Sequence, residues 1–518
     1  MALAGYLHLL VPAGGANSRF CRTSLSGALL GYPYPLTINW DGNLCDKKFG
    51  DASWEWGKLH DTLKFLNRLG PERDDDIVVV ADGEDTWFQL KPEVLIKRYQ
   101  DIIKEAARRT NKRLGSVSSD IKSPEIVFAA QKRCHTDDKD HIGCYASPDP
   151  PKDLLSGPGD YDPGMSDTRP RYVNAAVIVG TASSLRKIHQ IGWDRWNTNP
   201  KLYTSRQDFF ASLFGEQEYQ REQLRQKALN RFSSIFSSKS SSPIDGHAPP
   251  QSIMYAANLT ACDHGITLDY SSLLAHVPSN DAAWIRHSDS SSLSTAMESL
   301  SLTRQPPSTS LSQDIAYSRP PLFSLAPFSS AYPFAYQELP RDLSWQNVPL
   351  YTNLITSVTP VMIINRDSND DEVSLLQNWH NMWFSPHARV KLANVAYEPV
   401  FPLATTPYPA YANSDSQHRL INFAQKAHSY LTRRKGGERG RPAGEKQWWS
   451  PVAISPMDKH REGIGFLIDP DEERHEEGWK KWGEMCEEGV QGRIFGDEKG
   501  KWLDLKVYPP FLDVGPDA

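Results

Sequence analysis

The chain has 518 residues, with 57 Lys and Arg against 63 Asp and Glu and a formal net charge of -6, so no global field draws it to nucleic acid or to an anionic membrane. Its length exceeds one ordinary domain and implies one large α/β domain with additions, while a hydrophobic content of 39% implies that much of the chain is loop. No run of about 18 apolar residues occurs, so no segment reads as membrane-spanning.

The apolar start of the chain lacks a basic flank and a cleavage site, and residues 6–11 read as a first strand rather than part of a signal peptide. A glycine-bearing loop with Gly14, Gly15 and Asn17 follows, then a helix over 18–30, the order found where a nucleotide sits on a helix N-terminus. Neither a full G-x-G-x-x-G nor a P-loop lysine is present. A second strand is expected over 35–40 and a helix over 54–69, with Lys58 near its start. Residues 76–81 are Asp-Ile-Val-Val-Val-Ala, a strand buried on both faces, and Asp82, Gly83, Glu84 and Asp85 come next. Three acids within four residues repel one another unless a cation neutralises them, and oxygen ligands at a strand's carboxyl end suit Mg²⁺ or Mn²⁺. Gly83 is expected to let the backbone turn sharply enough for Asp82 and Asp85 to converge.

A helix over 92–109, strands over 125–130 and 172–182, a helix over 183–196 and a further helix around 207–219 continue the alternation, which predicts a mostly parallel sheet. The Pro/Gly/Asp-rich stretch reaching residue 169 reads as a long loop. Of six cysteines, none forms a C-x-x-C pair, which argues against zinc. Cys134 and Cys144 either close a small disulfide loop or remain free thiols. Residues 231–250 are Ser-rich and read as a surface insertion, and 288–330 are rich in Ser and Pro and read as a linker. Trp379, Trp383 and His380 lie on a helix over 375–384, where an aromatic stripe is most simply core. A further amphipathic helix is expected over 418–434, with a basic run at 433–437.

This order of pieces resembles the glycosyltransferase domain of the procollagen-lysine hydroxylases, and above all fungal proteins that carry a similar domain without the hydroxylase. The resemblance rests on the strand with Asp82 and Asp85, the strand at 126–130, Asn174 to Gly180, the segment 207–218, and Gly265 to Asp269. It covers roughly residues 5–285 and resumes around 345–395. It implies a GT-A-like nucleotide-diphospho-sugar transferase sheet with flanking helices over 1–285, a low-complexity linker at 286–345, a return segment at 346–400 and a small C-terminal extension at 401–518. The implied activity is transfer of a hexose from a UDP-sugar, with Mn²⁺ or Mg²⁺ as cofactor and a protein or glycan acceptor. Asp82, Asp85 and Asn365 are then the expected metal ligands, and Gly14, Asn17, Lys58 and Asn174 the expected substrate contacts. Asp208 and Gln207 are expected on the reacting side. Such domains carry aspartates where Ser205 and Arg206 stand here, and a histidine where Ile364 or Asn365 stands. The alternative is therefore a non-catalytic glycan- or protein-binding module that kept the fold. Proteins of this kind work in the secretory pathway, although no targeting segment is visible.

Overall fold

The computed structural model describes residues 4–40, 53–115, 121–151, 154, 169–233, 263–279, 281–299, 310–323, 339–340, 343–365, 372–395, 402–406, 446–451, 465–468 and 478–496. The expected helix at 418–434, the basic run at 433–437, most of the loop before residue 169 and the Ser-rich insertion beyond residue 233 lie outside these residues. The elements used below are, in chain order, β1 (Ala4–Pro12), α1 (Ser18–Leu30), β2 (Leu36–Ile38), α2 (Ser53–Arg68), β3 (Ile77–Ala81), β4 (Thr86–Phe88), α3 (Pro92–Leu114), β5 (Ile126–Gln131), α4 (Ile142–Tyr145), β6 (Tyr172–Thr181), α5 (Ala182–Thr198), α6 (Arg206–Ser233), β7 (Ile266–Leu268), β8 (Ala275–His276), β9 (Ala282–Ile285) and α7 (Ser290–Ser299). After them come α8 (Gln313–Ala316), β10 (Leu350–Asn353), β11 (Met362–Ile364), α9 (Glu372–His380), α10 (Ala388–Val395), β12 (Ala404–Thr406), β13 (Lys446–Trp449), β14 (Gly465–Ile468), β15 (Gly478–Lys481), α11 (Trp482–Met485) and α12 (Glu488–Phe495).

The chain forms two compact units, neither of them a single run of sequence. One comprises residues 1–41, 81–97 and 278–518, and the other residues 42–80 and 98–277. The long C-terminal part is not a separate appendage: β13 pairs with β1 in parallel, Gly5 opposite Trp448, and β14 pairs in parallel with β2. The first unit thus orders its strands β15-β14-β2-β1, with β13 on β1 and β12 on β13. Gly5 is needed here, because a Cβ would fall 2.7 Å from the Trp448 ring.

Helix α1 is buried almost all round, its polar residues Arg22, Thr23, Ser24 and Ser26 included. Asn17 caps its start, its side chain accepting from the Phe20 N–H at 2.8 Å. Gly31 ends it at φ 79°, in the left-handed region that a glycine adopts without strain. A disulfide joins Cys21 in this helix to Cys486, 465 residues away. Trp379 of α9 is likewise a core residue: its indole N–H donates to the Ile494 carbonyl at 2.7 Å, and its ring meets Trp87 edge-on at 5.4 Å. The Ser/Pro-rich stretch expected to be a plain linker carries helix α7. Leu293 and Met297, four residues apart on one face, bury themselves against Ile285 and Leu354.

In the second unit the strand order is β3-β6-β5-β7. All five residues of β3 are buried, as its unbroken apolar run requires. β5 and β7 are parallel, but β5 and β6 are antiparallel, so the sheet is mixed. The alternation of elements misleads at this point. Between β5 and β6 the described residues hold only the four-residue helix α4, whereas a parallel partner needs a full crossover. The pairing is interrupted between Phe128, opposite Ile178, and Ala129, opposite Asn174, so residues 175–177 form a bulge on β6. The core behind the sheet is aromatic: Phe210 packs on Phe128 at 5.1 Å, and Trp56 of α2 stacks on Trp196 of α5 at 5.6 Å.

The Cys21–Cys486 bridge closes a very long loop, whose cross-link removes much entropy from the unfolded chain. Replacing both cysteines with serine should lower unfolding free energy by about 2–5 kcal/mol, read as a lower urea midpoint. An unchanged midpoint, or peptide mapping under non-reducing conditions that finds both thiols free, would count against the bridge.

Candidate functional site

β3 delivers the chain into the acidic turn of Asp82, Gly83, Glu84 and Asp85, and β4 begins directly afterwards. The turn is fastened at both ends by backbone hydrogen bonds within the first unit. The Gly83 N–H donates to the Pro12 carbonyl at the end of β1 at 3.1 Å, and the Asn365 N–H donates to the Asp85 carbonyl at 2.6 Å. Gly83 is required by closeness and not by a left-handed turn: a Cβ there would stand 2.8 Å from Pro12 O. The second bond follows from register, since Ile364 lies opposite Thr86 in the β11–β4 pair, which carries Asn365 to Asp85.

The turn's side chains are shared among its neighbours. Asp82 Oδ1 accepts the Glu84 N–H at 3.1 Å. Glu84 Oε1 accepts from Asn17 Nδ2 at 3.2 Å, so one asparagine both caps α1 and leans on the acidic turn. Arg19 Nη1 stands 3.5 Å from Asp85 Oδ1. Of the sequence-expected residues, Asn17, Asp82, Asp85 and Asn365 therefore gather at one place, with Gly14 in the short loop between β1 and α1. The turn thus carries three carboxylates, one of them beside the Arg19 guanidinium. Asn365 reaches Asp85 through its backbone, and its side-chain Nδ2 is buried with no hydrogen-bond partner among the described residues.

The other expected residues belong to the second unit, where most of them serve the fold. The bulge on β6 frees backbone groups, and Gln207 satisfies two of them. Its Oε1 accepts the Ala175 N–H at 2.7 Å and its Nε2 donates to the Val173 carbonyl at 2.8 Å. Asn174 takes part in the same repair, accepting the Ala176 N–H at 2.9 Å and donating to Gln131 Oε1 at 3.0 Å. Lys58 is 5% exposed, 3.4 Å from Glu55 and over the Trp54 ring. Arg206, also buried, reaches the other oxygen of Glu55 at 3.7 Å.

Asp208 closes a helix cap. Ser205 Oγ accepts the Asp208 N–H at 3.1 Å, and Asp208 Oδ2 reaches back to the Thr204 N–H at 2.7 Å and its hydroxyl at 3.0 Å. This is the reciprocal arrangement of a capping box, shifted by one residue, and the S-x-x-D spacing announces it in the sequence. The other oxygen, Oδ1, lies 2.8 Å from His141 Nε2 and 3.4 Å from His135 Nε2. Sequence reasoning passed over these two histidines. The signal was their place inside the loop closed by the Cys134–Cys144 disulfide, which does form.

His135, His141 and Asp208 are close enough to suggest a metal site, but the bonding opposes it. His141 Nδ1 accepts the Gly143 N–H at 3.1 Å, which puts the neutral ring's proton on Nε2. A metal-bound imidazole instead donates from its far nitrogen and keeps the near lone pair free. No protein-family model and no curated protein sequence matches this chain. The chemistry of the acidic turn therefore stands on its own geometry.

Several buried groups in the second unit tie stability to pH. Burial alone would raise the pKa of Asp208, but the contacts from His135 and His141 and the Thr204 N–H outweigh it and hold the carboxyl well below the usual carboxylate range. His189 is pushed down to about 4 by burial, with Arg206 adding to the effect against the Leu185 carbonyl. Burial also lowers His264 to about 4, with Arg195 contributing. Both histidines fold neutral, so the unfolded chain takes up their protons first. Their stabilisation is complete above about pH 6.5 and is lost as pH falls toward 4, on the order of 3 kcal/mol for each. Asp208 adds a loss at still lower pH. Chemical denaturation between pH 7 and 4 should show this decline, and His189→Gln should flatten it. A stability profile level across that window would contradict the assignment.

Proposed function

We propose that this chain is a metal-dependent glycosyltransferase that takes a hexose from a UDP-sugar, built on a GT-A-like scaffold of the kind seen in procollagen-lysine hydroxylase-type domains. The observation that carries the reading is the acidic turn: two aspartates at the end of a buried strand, braced on the β1–α1 loop and on β11. Mg²⁺ and Mn²⁺ are commonly held by one or two carboxylates, with substrate phosphates completing the shell. Asp82 and Asp85 are the residue types of that donor set, and among the described residues no group of three His, Cys, Asp or Glu side chains gathers at this turn. When bound, the ion supplies Lewis-acid stabilisation of charge on the departing diphosphate.

The chain's own residues supply the rest. The loop holding Gly14 and Asn17 offers backbone at the start of α1 to the nucleotide. Arg19, already beside Asp85, can turn its guanidinium to a phosphate. Two disulfides favour an oxidising, secretory setting.

A second reading, a sugar-nucleotide-binding module without turnover, draws on the second unit. Gln207 has both amide atoms engaged in the β6 bulge, and Asp208 is committed to the α6 cap and the histidine pair. The position that carries an aspartate in the resembled domains holds Arg206, buried beside Glu55. A lost charge-stabilising group costs on the order of 10²–10³ in rate, so turnover should be slow.

Melting the protein with UDP and Mn²⁺ separates the possibilities. At 100 times the dissociation constant the ligand should add about 2.7 kcal/mol, and Asp82→Asn should remove the shift. Metal-dependent hydrolysis of UDP-glucose or UDP-galactose identifies a transferase, and a shift without hydrolysis identifies the module. No shift in the wild type, or an equal shift in Asp82→Asn, rules out the metal pair.

A further inference from the structure

The loop closed by the Cys134–Cys144 disulfide carries two histidines whose rings are used differently. His141 has its Nδ1 engaged by the Gly143 N–H and its Nε2 against Asp208. In His135, Nε2 stands 3.4 Å from Asp208 Oδ1, while Nδ1 lies 3.6 Å from Cys134 Sγ. A carboxylate oxygen is a strong acceptor, whereas a disulfide sulfur is a poor one and has no proton to give. The neutral ring therefore carries its proton on Nε2, and the Nδ1 lone pair faces the disulfide. The sulfurs of Cys134 and Cys144 and a nitrogen of His135 all lie within 4.8 Å of one another. In a tetrahedral zinc centre, bonds of about 2.3 Å to sulfur and about 2.0–2.1 Å to nitrogen put those two ligand atoms about 3.5 Å apart. The Cys134–His135 spacing already matches. Cys134 and His135 are partly exposed, and Asp137 to Asp140 in the same loop are exposed, so the loop lies at the surface.

We propose that Cys134, Cys144 and His135 form a zinc site that becomes available when their disulfide is reduced. A soluble dithiol attacks one sulfur, and its second thiol resolves the mixed disulfide. Two electrons pass to the protein; the dithiol leaves as a disulfide, and Cys134 and Cys144 become thiols. Zn²⁺ then displaces both thiol protons and takes the two thiolates and the His135 Nδ1 lone pair. The two negative sulfurs balance the charge of the ion, and water completes the four-coordinate shell. Asp208 holds the far N–H of the metal-bound imidazole, as carboxylates do behind zinc-ligating histidines. His141 does not serve as the fourth ligand, because its Nδ1 faces an N–H and its Nε2 donates to Asp208. The sulfurs have only to separate to about 3.8 Å, the spacing of two thiolates on one zinc, which side-chain rotation supplies. Thiolates also select Zn²⁺ over Mg²⁺ or Mn²⁺. The ion thus keeps the loop closed when the disulfide does not. The proposal uses no residue of the acidic turn and does not rest on the transferase reading.

The test reduces the full chain with dithiothreitol, removes it by anaerobic gel filtration, titrates with Co²⁺ and then displaces the cobalt with Zn²⁺. The reduced protein should show thiolate-to-cobalt charge transfer in the near ultraviolet and the strong visible bands of a tetrahedral ion, and Zn²⁺ should bleach both. The oxidised protein should show neither. Cobalt held by carboxylates gives no thiolate band, so Asp82→Asn should leave the spectrum unchanged. Replacing Cys21 and Cys486 with serine should keep the bands, and replacing Cys134 and Cys144 should erase them. His135→Ala, which retains both cysteines, should weaken zinc binding at least tenfold and shift the visible bands. Asp208→Asn should weaken it roughly 10–100-fold with the bands in place, and His141→Gln should leave the affinity within about twofold, since it is not a ligand. No thiolate band in the reduced wild type, bands that follow Cys21 and Cys486, or equal losses in His135→Ala and His141→Gln would overturn the proposal. So would a Cys134–Cys144 bridge that resists dithiothreitol in the folded protein.

Discussion

Two backbone hydrogen bonds fix the place of the acidic turn. Gly83 donates to Pro12 and Asn365 to Asp85, so the turn bearing Asp82, Glu84 and Asp85 is set by its main chain. Fixing it this way holds three carboxylates in one short turn against their mutual repulsion. The arrangement tolerates no side chain at residue 83, since a Cβ would run into the Pro12 carbonyl. It also brings Asn365, some 280 residues later in the chain, to the same spot.

The second unit spends its polar residues differently. A bulge in β6 leaves backbone groups unpaired, and Asn174 and Gln207 exist in large part to satisfy them. Asp208 serves as a helix-capping acid first, and its remaining oxygen faces two histidines. Buried polar networks of this kind are stable only when nearly complete, which leaves such residues little freedom for chemistry. Gln217 repeats the pattern on β7, accepting the Ile266 N–H and donating to its carbonyl. The two glutamines lie ten residues apart near the front of one helix, each holding a different strand.

What was legible in the sequence follows from local rules. The Ile77 to Ala81 run announced a buried strand because nothing polar interrupts it, and the helix at Ser18–Leu30 was bounded by an asparagine and a glycine that act at helix ends. Trp379 and Trp383 were read as core from their spacing, and both indole N–H groups do find buried carbonyls. The capping role of Asp208 was also written locally, in Ser205-x-x-Asp208, but the expectation of a reacting acid obscured it. The sheet's mixed character was not legible. Strand direction depends on what joins two strands, and composition does not say whether 40 residues cross over or return.

The sequence by itself determined strands β1 to β3, β5 and β6, helices α1 to α3 and α5, the acidic turn and the absence of any apolar run long enough to span a membrane, since each rests on near neighbours in the chain. Only the tertiary structure decided that residues 446–449 lie beside the first strand, that Cys21 meets Cys486, and that Asn365 meets Asp85. Those pairings join residues hundreds of positions apart. Closing such loops costs entropy that depends only weakly on their length, so no local pattern marks which distant partner will repay it.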